Sequence, residues 1–97
     1  MRYNIILSPE AVHDFKQIIA HDRAMIRDAM EIHLRYEPTK ISKSRIKRLR
    51  GLDHPEFRLR VGDYRIFYDT GDTDVSILAI IPKSRASEWL ERYGEAG

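Results

Sequence analysis

Residues 45–68 read RIKRLRGLDHPEFRLRVGDYRIFY. Two alternating runs, Phe57-Arg58-Leu59-Arg60-Val61 and Tyr64-Arg65-Ile66-Phe67-Tyr68, flank Gly62-Asp63. A two-residue Gly-Asp link between such runs predicts a β-hairpin, because glycine supplies the positive φ that a primed turn requires. A two-residue loop fixes the register. Val61 then faces Tyr64, Arg60 faces Arg65, Leu59 faces Ile66 and Arg58 faces Phe67. Side chains alternate across a strand. Phe57, Leu59, Val61, Tyr64, Ile66 and Tyr68 therefore share one face, the core face. Arg58, Arg60, Arg65 and Phe67 share the other.

The second face carries a cost. Like charges directly opposite on a sheet destabilise it by roughly 0.2–1 kcal/mol. A bound polyanion offsets that repulsion, and arginine matches phosphate oxygens in bidentate fashion. The alternative is a solvated basic face quenched by nearby Asp or Glu. Phe67, among the arginines, offers a surface on which a base can stack.

Charge is concentrated around this hairpin. Between Lys40 and Arg65 nine basic residues, among them Lys47, Arg48 and Arg50, face three acidic ones, a net of +6. The rest of the chain has eight basic and twelve acidic residues, a net of −4. A basic segment on a chain whose overall charge is only +2 is the footprint of a nucleic-acid or acidic-protein partner. Lys and Arg on a sheet edge also discourage aggregation, a structural reason for some of them.

A length of 97 residues predicts one domain, spanning 1–97 with a frayed tail over 94–97. No apolar run reaches membrane-span length, and Ile5-Ile6-Leu7 stops at Ser8-Pro9 without a signal-peptide layout. The absence of cysteine excludes disulfides and thiolate metal sites, and fits a reducing cytoplasm. The four histidines lack ligand spacing, so neither a metal nor another cofactor is expected.

Outward from the hairpin, Arg2–Leu7 reads as a strand. Ser8-Pro9-Glu10 opens a helix with Val12, Phe15, Ile18 and Ile19 as its apolar stripe, expected to stop near Ala20-His21. Asp22 is read as the N-cap of a second helix that Pro38 ends. Ile46–Leu49 reads as an edge strand, with Ile46 and Arg48 on one side and Lys47 and Leu49 on the other. Val75–Ile81 is apolar on both sides and predicts an interior strand covered on both faces. A last helix over Arg85–Tyr93 has Trp89, Leu90 and Tyr93 on its apolar side. The resulting order is β-α-α-β-β-β-α, an α+β fold with a two-helix hairpin packed on a small antiparallel-rich sheet and a C-terminal helix. Lys83 and Arg85 follow the interior strand, where its end can approach the Arg60–Arg65 rung.

Leu49-Arg50-Gly51-Leu52, then the stretch from Phe57 to Tyr68, then an apolar strand and Lys83–Leu90 resemble the RelE/ParE superfamily of bacterial toxins, RelE more than ParE. The likeness spans essentially the whole chain. It implies a ribosome-dependent endoribonuclease that cuts mRNA in the A site by metal-independent attack of a 2′-hydroxyl on the next phosphate. It implies a cognate, RelB-like antitoxin, contact with operator DNA only through that antitoxin, and a cytoplasmic location with no membrane partner. Two functional lysines of RelE fall on Arg58 and Arg60. A functional arginine matches Arg65, and a second is best matched by Arg85, although strict alignment puts Ser84 there. The family's tyrosine in the last helix aligns with Leu90, between Trp89 and Tyr93. Arginine stays protonated, so Arg58 and Arg60 can hold phosphate but not accept a proton. Lys83, His54, Glu56 or a ribosomal group is left as the base. ParE-like inhibition of DNA gyrase, or an inactive antitoxin-binding member, are the alternative readings.

Overall fold

The computed structural model describes residues 1–96. Strand β1 (Asn4–Leu7) leads into helix α1 (Pro9–Lys16) and helix α2 (Ala20–Leu34). Four strands follow: β2 (Ile46–Arg48), β3 (Phe57–Val61), β4 (Tyr64–Thr70) and β5 (Asp74–Pro82). A 3-10 turn over Lys83–Arg85 runs into helix α3 (Ala86–Tyr93). The edge strand at Ile46 is thus a full sheet member, one strand more than the order β-α-α-β-β-β-α counts. No described helix is long and apolar enough to cross a membrane.

The sheet runs β1-β5-β4-β3-β2. Among the described residues only β1 and β5 pair in parallel; the other strand pairs are antiparallel. The hairpin register is the expected one, with Arg60 opposite Arg65 and Leu59 opposite Ile66. Gly62 sits at φ +53°, which a side chain would oppose. β5 lies between β1 and β4, in keeping with its two apolar faces. One register step against β4, at Phe67/Tyr68, leaves Leu78 as an extra residue in β5.

Helices α1 and α2 cover one sheet face. Ala11, Ile18, Ile26, Met30 and Leu34 pack there on Leu59, Ile66, Tyr68, Ile77 and Ile80. Ser8 caps α1 as its sequence predicts, its hydroxyl accepting from Ala11 N–H at 3.1 Å. The helix boundary differs from expectation. α1 stops at Lys16, and Ile19, not Asp22, is the N-cap of α2. Asp22 instead lies inside the first turn of α2, where its carboxylate accepts a 2.8 Å hydrogen bond from the Tyr64 hydroxyl.

Past β1, the open edge of β5 is closed by side chains. The Ser8 hydroxyl donates to Leu78 O at 3.1 Å, and Asp14 accepts from Ile80 N at 3.1 Å. On the opposite sheet face, Leu49, Ala86, Trp89 and Leu90 pack over Phe67, Ala79 and Ile81, so α3 covers only that part of it. Nor does the chain fray directly after α3. Glu95 N–H donates to His54 O at 2.7 Å, and Asp53 N–H donates to Glu95 O at 2.8 Å. Gly94 fits against Leu52 and the Leu90 carbonyl, where a Cβ would collide. The last position of the expected frayed tail, 97, lies outside the described residues.

Candidate functional site

Antiparallel pairing builds the site from two adjacent rungs. Arg60 faces Arg65, which faces Ile81. Beside it, Lys47 faces Arg58, Arg58 faces Phe67, and Phe67 faces Ala79. The strand period therefore puts Lys47, Arg58, Arg60 and Arg65 on the α3 side of the sheet. Among the described residues none of these four forms an ion pair.

The three hairpin arginines differ. Arg60 is exposed. Arg65 is buried, and its Nη1 donates to the carbonyls of Gly62 and Tyr64, each at 2.9 Å. Arg58 is half-buried, and its Nε lies out of solvent with no hydrogen-bond partner. Burial, then the charges of Arg65 and Arg60, push the Arg58 guanidinium below its ordinary value. Burial and then Arg60 do the same to Arg65, against a smaller opposing pull from Asp63. A cluster of cations that lowers its own members' proton affinity, with a buried donor left unused, is complementary to an incoming anion.

Two expected members stand apart. Arg48 pairs with Phe57 and so lies on the α1/α2 side. Its guanidinium sits 5.2 Å from the Phe57 ring centroid and pairs with Glu56 at 3.2 Å. It does not join the Arg58 face; the alternation that puts Ile46 in the core puts Arg48 beside it. Phe67 is on the expected face but has no exposed surface, because Trp89 lies flat on it. A base cannot stack there while α3 is seated. Arg50 is exposed in the turn after β2.

Lys83 and Arg85 do follow the end of β5 at the hairpin tip. Tyr64 pairs with Pro82, and Lys83 N–H donates to Asp63 O at 2.7 Å. Both side chains are exposed. Arg85 lines a cleft of about 840 Å³ with His13, Glu88, Trp89 and Arg92, and none of the hairpin arginines lines it.

The other candidate bases are engaged elsewhere. His54 contacts Asp69 at 2.9 Å, and that carboxylate raises its affinity for a proton. Glu56 accepts from Thr70 N–H at 2.8 Å besides holding Arg48. Asp69 lies four residues beyond Arg65, roughly 13 Å along the strand at about 3.3 Å per residue. Of the three side chains considered as bases, only Lys83 lies beside the turn that carries the Arg60–Arg65 rung. Among the described residues no three His, Asp or Glu side chains are grouped to hold a metal ion.

Known proteins share this fold. The RelE–RelB complex of the archaeon Pyrococcus horikoshii contains a chain with 26% identity and a TM-score of 0.71, covering 88% of this chain and 99% of its own. The RelBE2 toxin–antitoxin complex of Mycobacterium tuberculosis gives 25% identity and 0.67, covering 84% and 99%. A variant of Escherichia coli RelE in the free state, 19% identical with a TM-score of 0.66, shares the fold over 96% of this chain and 99% of its own. No curated protein sequence matches. The family model for the ParE toxin of the type II toxin–antitoxin system parDE matches residues 5–87, from within β1 to the start of α3. With strands β2 to β5, helices α1 and α2 and the hairpin all inside that match, the chain belongs to the ParE toxin family of type II toxin–antitoxin systems, within the RelE/ParE superfamily.

Proposed function

We propose that this toxin is a ribosome-dependent endoribonuclease that cleaves mRNA, and that a RelB-like antitoxin neutralises it in the cytoplasm. The observation that carries this reading is the Arg58, Arg60 and Arg65 cluster: three guanidinium groups on adjacent rungs of one face, without an ion pair among the described residues. Three cations unpaired with carboxylate suit the extra negative charge of a phosphorane. Preorganised donors of this kind stabilise charge as it develops and need no reorganisation at the moment of reaction.

In the proposed step the 2′-oxygen attacks the adjacent phosphorus, and the bond from phosphorus to the 5′-oxygen breaks. The proton leaves the 2′-hydroxyl, and another reaches the departing 5′-oxygen. The arginines stay charged throughout and hold the non-bridging oxygens. Arg60 is an exposed donor, and Arg58 keeps its Nε without a partner. Arg65 has Nη1 engaged with the turn and offers its remaining N–H groups. Lys47 and Arg50 track the flanking phosphates. Lys83 is the base candidate of this chain beside the hairpin turn; otherwise the ribosome supplies proton transfer. In this reading Arg85, which lines the neighbouring cleft, meets the strand beyond the cut.

A second reading, ParE-like inhibition of DNA gyrase, draws on the ParE family match. One experiment separates them. The toxin is added to a translation extract programmed with defined mRNA, and 3′ ends are mapped by primer extension. Codon-phased cuts that require ribosomes support the nuclease. Intact mRNA with inhibited DNA supercoiling supports the gyrase inhibitor.

A further inference from the structure

We infer that Asp22 and Tyr64 are positioning residues for the arginine cluster, acting from the far side of the sheet; this rests on the nuclease reading. The Tyr64 hydroxyl donates to Asp22 across 42 positions of sequence, from the first residue of β4 to the first turn of α2. The carbonyl of the same Tyr64 accepts from Arg65 Nη1. One residue thus joins α2 through its side chain and the buried guanidinium through its backbone. Arg65 Nη1 also holds Gly62 O, so the guanidinium spans the turn from inside. Met25 of α2 lies under Gly62, its methyl 3.5 Å from where a Cβ would stand. The hairpin tip is therefore docked on α2 by a polar tie at Tyr64 and an apolar contact at Gly62.

The tie has a functional consequence because, with the Lys83 N–H bond to Asp63 O and the Met25 contact under Gly62, it is one of few points that hold the tip. A two-residue turn at the end of a sheet has few neighbours, and here Arg60 and Arg65 stand one rung from it. Repulsion between those two cations pushes their strands apart. The Asp22–Tyr64 bond opposes that motion from the opposite face. Misplacement of a catalytic group by about 1 Å can cost about a hundredfold in rate. A bond that fixes the tip therefore acts on the chemical step more than on mRNA or ribosome binding.

The test compares Tyr64→Phe, Asp22→Ala and Asp22→Asn at matched folded concentration in the ribosome cleavage assay. Asparagine keeps an oxygen that can accept from the tyrosine, so Asp22→Asn should retain the wild-type rate within about twofold. Tyr64→Phe and Asp22→Ala should each lower the single-turnover rate about tenfold or more with half-saturating ribosome concentration unchanged, and the double variant should fall no further than either single. Wild-type rates in both Tyr64→Phe and Asp22→Ala, or fully additive losses, overturn the inference. If the wild-type protein cuts no mRNA, the nuclease reading fails on its own. The positioning claim is then decided by NMR of the Arg65 side-chain N–H signals. Tyr64→Phe should shift and broaden them while Asp22→Asn leaves them in place; identical spectra overturn it.

Discussion

Phe67 and Trp89 lie face to face, ring centroids 5.0 Å apart and planes within 4° of parallel. Tyr93 leans on Trp89 at 5.4 Å, its ring tilted by 43°. This three-ring stack fastens α3 to the sheet, since no α3 residue is fully buried. It also occupies the aromatic surface at the centre of the arginine face, so the open face offers charge and the rings offer support.

Removing the middle ring should loosen α3 without unfolding the sheet. Trp89→Ala is expected to lower stability by about 2–3 kcal/mol, at the low end for aromatic truncation because Trp89 is only half-buried. A double-mutant cycle with Phe67→Leu should show a coupling of about 1 kcal/mol for the stacked pair. Chemical denaturation monitored by far-UV circular dichroism measures both.

Arg60 and Arg65 should separate in their effects on folding. Arg65→Gln gives up two hydrogen bonds to the turn carbonyls and should cost about 1–2 kcal/mol. Arg60→Gln removes one of two opposed cations from an exposed position. Its denaturation midpoint should stay equal or rise slightly, because a like-charge pair disappears. Cleavage should fall at least tenfold in both. Urea titrations alongside the mRNA assay test the contrast.

The clasp at His54 should respond to pH. Asp69 raises the imidazole's proton affinity, with Glu95 and Asp53 adding to the effect. A group whose folded value is raised contributes below its unfolded value and loses that contribution as pH rises through the folded one. Wild type should therefore melt higher than His54→Gln at about pH 5.5, with the difference shrinking by about pH 8.5. Thermal melts of both proteins across that range check the sign.

Much of this could be read from the residues, for local reasons. Gly62-Asp63 between alternating runs determined the hairpin register rung by rung. Ser8-Pro9 marked the start of α1 because capping chemistry is local. The end of α1 was obscured by Ile18 and Ile19, which extend the apolar stripe; Ile18 is buried, whereas Ile19 is 67% exposed at the junction. Asp22 looked like a cap because its partner, Tyr64, lies in another element. Phe67 looked available because nothing local says that α3 folds back over it. The parallel β1–β5 pairing is equally non-local.

The most direct measurement is mRNA cleavage on ribosomes by wild type and by Arg65→Ala at matched folded concentration, with 3′ ends mapped by primer extension. The phosphate-gripping account predicts codon-phased, ribosome-dependent cuts from wild type and at least a tenfold slower rate from the variant. Full activity in Arg65→Ala, or no cuts from folded wild type, contradicts it.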